Sequence, residues 1–237
     1  MRATPTCLVL CASVAACGGF TDGGSGSGTL KVVAGVADLT DGDYGVHYNA
    51  NELRADLEIT TADGSAVTDA TVKLTDGDTG TEFPLEHDTG NGNGGRYRLR
   101  GVTGYHRKLA LHVEATNVGT LDAQLEGPGP HIIESPGQNE ELKLASIGGS
   151  LDLSWSAPDG IRADYAYVAV HTEPDHQNEY ERPAEDTGDF TDVPAAVLAP
   201  GSWSVSVERF NQVVLDGGLP GSILEIRYIA RNEFVIN

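Results

Sequence analysis

Two groups of carboxylates could do chemistry in this chain: Asp38, Asp41 and Asp43, and then Asp76, Asp78 and Glu82. Calcium takes roughly six to eight oxygen ligands, and an Asp-x-Asp turn supplies two carboxylates at short spacing. Neither group completes an EF-hand-type loop with its terminal bidentate Glu, and Asp beside Gly is ordinary turn composition. They are expected to be turns, with no metal and no other cofactor. His171, Glu173, Asp175 and His176 could likewise offer ligands, but such a run between strands reads first as a solvated loop. Cations are also concentrated. Arg96, Arg98 and Arg100 alternate, Arg107 and Lys108 follow, and all five fall within residues 96–108. Guanidinium forks suit carboxylates and phosphates, which makes this stretch a candidate anion or partner patch. The competing expectation is that the arginines pair with acidic neighbours across a sheet. No Gly-x-Ser-x-Gly elbow, phosphate loop, His-Glu-x-x-His or Cys-x-x-Cys occurs, so the chain is expected not to be an enzyme.

The three cysteines, Cys7, Cys11 and Cys17, all lie in the first seventeen of 237 residues. A disulfide framework would spread them through the body of the chain. Residues 1–16 read instead as an export signal, with Arg2 as its positive start and an apolar core from Cys7 to Ala16. The junction Val14-Ala15-Ala16-Cys17 resembles the lipobox of bacterial lipoproteins. That resemblance implies cleavage before Cys17 and acylation, palmitate included, of its thiol and new amino group. Several acyl chains on one residue anchor stably where a single chain does not. Residues 17–28 then form a lipidated cysteine and a Gly/Ser tether reaching about 15–20 Å as a random coil. The resemblance further implies a place in the cell envelope, with the outer membrane favoured over the inner.

Charge narrows the partners. Asp and Glu number 35 against 15 Lys and Arg, a formal net charge of -20. Phosphate neutralisation needs a basic face, so nucleic acid is not expected as a partner. The expected partners are the membrane, through the lipid, and another envelope protein or a polysaccharide.

Those residues must be carried by strands. Apolar residues alternate with polar ones at Leu53–Ile59, Leu109–Ala115, Leu121–Leu125, Leu151–Trp155 and Trp203–Val207. Between these runs lie Asp-Gly and Asn-Gly clusters, and no long helical periodicity appears. The fold expected is all-β, two tandem antiparallel β-sandwiches. The Pro/Gly-rich segment from Gly127 to Gly137 divides them into residues 29–130 and 138–237.

The second half resembles a fibronectin type III domain. Ser150-Leu151-Asp152-Leu153-Ser154-Trp155 matches its second strand, with Trp155 as the core tryptophan. Leu198-Ala199-Pro200-Gly201-Ser202-Trp203 is similar to the entry of its sixth strand, with Trp203 where a tyrosine would make the corner bond. The first half is similar to transthyretin-like and immunoglobulin-like modules, through Asp63-Gly64 with Val67–Val72 and through Gly95-Arg96-Tyr97. Together these imply a non-catalytic, membrane-anchored envelope lipoprotein with a structural, adhesive or partner-binding role. The alternative is a carbohydrate- or calcium-dependent ligand-binding module, with Tyr44, Tyr48 and Tyr180 as its loop aromatics.

Overall fold

The computed structural model describes residues 28–39, 52–90, 94–157, 160–173 and 177–237. The first half supplies β1 (Leu30–Leu39), β2 (Glu52–Thr61), β3 (Ala70–Asp76), β4 (Glu82–Pro84), β5 (Glu86–His87), β6 (Arg96–Thr103), β7 (Lys108–Ala115) and β8 (Gly119–Glu126). The second supplies β9 (Ile132–Ser135), β10 (Glu140–Leu142), β11 (Ser150–Ser156), β12 (Tyr165–Thr172), β13 (Gln177–Ala184), β14 (Asp189–Pro194), β15 (Gly201–Val214) and β16 (Ile223–Ile236). The fold is all-β.

Alternation decides which face each strand buries. Leu53, Ala55, Leu57 and Ile59 of β2 all point into one core, against Val72, Leu74, Leu109, Leu111 and Val113 from β3 and β7. Leu151, Leu153 and Trp155 of β11 point into a second, against Val168, Val170, Trp203, Val205 and Val207. Trp155 is buried, as its place in the second strand of a sandwich requires. The second sandwich sets β14-β11-β9 against β13-β12-β15-β16. In an immunoglobulin constant domain the fourth strand pairs with the fifth. Here β13 instead pairs with β12, antiparallel, which is the switched arrangement.

Trp203 settles the corner at the start of β15. Its indole Nε1 donates to the Ala199 carbonyl at 2.8 Å, four residues upstream. A tyrosine corner uses a hydroxyl to bond backbone a few residues back. The indole makes the equivalent bond from a side chain that enters one residue earlier.

The sandwiches are not independent. One sheet runs β13-β12-β15-β16-β1-β2-β6-β5, and β16 pairs in parallel with β1 at its start and with β10 at its end. The 14-residue strands β15 and β16 pair along their whole length, a span of about 45 Å at the rise of a strand. Leu215, Leu224 and Ile226 from this hairpin lie in the first core, whereas Trp203, Val205, Val207, Ala230 and Phe234 lie in the second. The division into 29–130 and 138–237 therefore needs correcting. The far half of the hairpin, read as second domain, completes the first sheet, because β1 pairs on one side with β2 and on the other with β16.

Two measurements follow from this arrangement. A fragment ending at Pro130 lacks the β16 neighbour of β1 and three core side chains. It should stay unfolded by far-UV circular dichroism at a temperature where the whole chain is folded. In the whole chain, Trp155→Ala should lower unfolding free energy by about 3–5 kcal/mol in a urea titration, the cost of a large aromatic removed from a core.

Candidate functional site

Cys17 lies outside the described residues, and so do Asp41, Asp43, Tyr44, Tyr48, Asp175 and His176; for Asp38 only its place in β1 is described. The other acidic group is fully placed, and its carboxylates go to three different partners. Asp76 accepts from the amides of Asp78 at 2.7 Å and Thr79 at 2.9 Å, and it pairs with His106 Nδ1 at 2.5 Å. Burial pushes its carboxyl up, but these bonds outweigh that and hold it below the ordinary range. Asp78 pairs with Lys108 at 3.0 Å and Glu82 with Lys73 at 2.6 Å. The group is a turn tied to its own strand neighbours.

The five bases of the candidate patch are divided among carboxylates in the same way. Asp56 on β2 takes Arg96 at 3.0 Å, Arg98 at 3.1 Å and Arg100 at 3.8 Å. Arg98 also pairs with Asp88, and Arg107 with Glu126 at 2.9 Å. The cause is register: Asp56 stands directly opposite Arg98 and Glu58 opposite Arg96 in the β2–β6 ladder, on the solvent side.

His171 is buried on β12, and Glu173 pairs with Arg231, so this pair belongs to the sheet rather than to a solvated loop. Tyr180 is not a loop residue either. It lies on β13 opposite Val170, packed against the second core, with the Phe190 ring at 6.1 Å and the Arg182 guanidinium at 5.2 Å. Alternation places it inward because it shares the face of Val170. The outward aromatics are others: Tyr165 stacks on Phe210 at 4.7 Å and 6°, and its hydroxyl donates to Glu225 at 2.6 Å. Tyr167 donates to Glu181 at 2.9 Å, and burial first and that bond second push its hydroxyl up to about 12.

The densest polar constellation was not among the residues singled out from sequence. Inward positions of β15 read Trp203, Val205, Val207, Arg209, Asn211 and Val213, with Leu215 just past its end, so an arginine and an asparagine interrupt an apolar series. Arg209 is only 1% exposed. It donates to both oxygens of Asp186, at 2.8 and 2.7 Å, to the Gly129 carbonyl at 2.8 Å, and to the Ile161 carbonyl. Asp186 also accepts from Trp155 Nε1 at 3.1 Å and the Ala163 amide at 2.6 Å. Burial pushes the Asp186 carboxyl up, but Arg209 and these donors together hold it below its ordinary value.

These contacts form a waist where the chain crosses from one sandwich to the other. Asn211 Nδ2 donates to the Glu126 carbonyl at 2.7 Å, and the Tyr105 hydroxyl donates to Pro128. His131 Nε2 bonds the Val207 carbonyl at 2.9 Å, and Asn232 Nδ2 donates to Ile133 at 3.0 Å and Pro136 at 2.9 Å. Gly127 packs so close that an added Cβ would come within 2.6 Å of Ile226. The Gly-Pro-Gly-Pro segment is therefore a gripped connection. The readable signal was Arg209 at an inward position, where a charge needs a buried partner. That partner, Asp186, comes from a turn whose position the pattern does not encode.

No family model matches this chain, and no curated protein does. Among solved structures it is similar to the fibronectin(III)-like modules of Clostridium thermocellum CbhA, at 12% identity over 84% of this chain and 92% of that one, TM-score 0.24. The Yersinia pseudotuberculosis adhesin InvE matches at 16% identity over 90% of this chain and 62% of its own, TM-score 0.24. A Ca2+-stabilized adhesin that helps an Antarctic bacterium bind ice matches at 13% identity over 89% and 49%, TM-score 0.27. What those proteins bind is a property of those proteins.

Removing one member of a buried pair strands the other. Arg209→Met should lower unfolding free energy by about 3–5 kcal/mol, with Asp186 left uncompensated. Adding Asp186→Leu should recover part of that loss in the same urea titration, since the pair is then gone as a unit.

Proposed function

We propose that this chain is a non-catalytic envelope lipoprotein, tethered through Cys17, that presents two rigidly joined sandwiches to a partner in the envelope. The observation that carries this is the waist. The buried ionised pair of Arg209 with Asp186 and the buried His131 are spent on holding the two sandwiches to their connection. A catalytic acid or base needs reach to a substrate proton; these groups face backbone. The junction makes a spacer of defined length, and that suits display at a distance from a membrane.

The charge suggests the partner's chemistry. Among the described residues, Arg54, Lys73, Arg96, Arg98, Arg100, Arg107, Lys108, Arg209, Arg227 and Arg231 are held in ion pairs with carboxylates. The remaining charge is dominated by carboxylates, 35 acids against 15 bases in the chain. A protein partner with a basic face fits that surface, and a polyanion does not.

Two measurements test the reading. Wild-type protein expressed with its own N-terminus should partition with membranes in detergent extraction, and Cys17→Ser should be soluble or keep its leader. Crosslinking in intact cells should then capture an envelope protein with a basic surface, in yields that fall as salt is raised. Full membrane partitioning by Cys17→Ser would refute the anchor, and salt-independent capture would refute the charge argument.

A further inference from the structure

The waist holds one group that its other members leave incompletely satisfied. His131 is 3% exposed, and its Nε2 is bound to the Val207 carbonyl, so that nitrogen carries the proton. Its Nδ1 is buried with no hydrogen-bond partner among the described residues. The groups around the ring come from four places. Arg209 approaches from β15 as a cation, and Asp186 as a carboxylate from the turn after β13. Tyr228 meets the ring edge-on at 5.4 Å from β16, and Tyr105, from the turn after β6, meets Tyr228 in turn at 5.1 Å. A second proton on Nδ1 would find no acceptor, a buried cation beside it, and a single carboxylate already taken twice by that cation.

We infer that His131 is an acid-sensitive latch: its protonation releases the Gly127–His131 connection from β15 and lets the two sandwiches hinge about the β15–β16 hairpin. The latch would convert a rigid spacer into a jointed one without unfolding either core. Burial, followed by the charge of Arg209, lowers the docked imidazole to about 4, against 6.5 for a free ring. The sign follows directly. The group is neutral when docked, so docking is fully stable above the free value and weakens as pH falls through 6.5 toward 4. With those values the docked-to-released ratio falls by about thirtyfold between about pH 7.5 and pH 5. Asp186 is held below the ordinary carboxylate range and remains ionised across that window, so the Arg209 pair is not the trigger.

The rest of the molecule responds in the opposite direction. Acidification toward the isoelectric point near 4.5 removes self-repulsion between surface carboxylates, which favours both compact cores. Junction and cores can therefore be separated in one experiment. Hydrogen exchange by mass spectrometry, corrected for intrinsic rates, would compare peptides covering residues 124–134 with peptides from β2, β7 and β12 in the full chain. Junction protection should fall about thirtyfold from pH 7.5 to 5, while core protection holds or rises. His131→Gln keeps an N–H for the Val207 carbonyl and cannot titrate in this range, so its junction protection should stay flat. His131→Phe is the second variant should the glutamine fail to fold. The latch is refuted by pH-independent protection of the wild-type junction, by a His131→Gln junction that loosens in parallel, or by cores that loosen together with it.

Discussion

A hairpin that serves two hydrophobic cores must carry something between them, and in this chain that something is the bidentate pair of Arg209 and Asp186. Trp203, Val205 and Val207 fill one core and Leu215, Leu224 and Ile226 the other. The two cores cannot merge, because the connection from β8 to β9 crosses the inner face of the hairpin between them. That connection brings backbone carbonyls into a buried space, and each needs a donor. A guanidinium has five N–H groups in a fixed fork, enough to serve a carboxylate and two carbonyls at once. Asp186 neutralises the charge this creates, and Trp155 and the Ala163 amide complete the carboxylate's bonding.

Once the waist is fixed, other features follow from it. β16 runs on past the second sandwich because its inner face keeps a single parity, Leu224, Ile226, Tyr228, Ala230, Phe234 and Ile236. The same continuity makes it the neighbour of β1, which it joins in parallel while β2 pairs antiparallel on the other edge of β1. The first sandwich is thus completed by the last strand, a non-local closure of the kind that slows folding and couples stability across the molecule.

Sequence periodicity revealed the strands and failed at their partnership, for a physical reason. Leu53 to Ile59 and Leu151 to Trp155 declare which face is buried, since a period of two leaves no other choice. The same pattern is silent about which sheet a strand joins, and nothing in Ile223 to Ile229 distinguishes a neighbour in its own half from β1. Pro and Gly at 127–130 carried the ordinary signature of a boundary. They mark a backbone that must turn and approach Ile226 closely, which the same residues also permit. The arginine cluster was legible as a cluster. Its role as partner to Asp56, Asp88 and Glu126 depended on register and turn placement, which alternation alone leaves open.

Buried polar groups usually point to chemistry, and here they argue for mechanics. The Arg209 donors are aimed at the Asp186 carboxylate and at main-chain carbonyls, and the His131 Nε2 at the Val207 carbonyl, so these groups hold the connection between the sandwiches. The outward tyrosines are similarly committed to Glu225 and Glu181. With most of its cations paired to carboxylates, the molecule meets its surroundings largely through carboxylates, turn backbone and isolated apolar residues such as Ile132 and Val214. Such a surface binds weakly and with strong salt dependence unless a partner supplies matching cations. A tether compensates for weak contacts by raising effective concentration, provided that its reach matches the partner's position. Under the proposed anchoring through Cys17, stiffness at the waist would set how far that reach extends, so the Arg209 pair and the spacing between Cys17 and β1 would act on the same quantity.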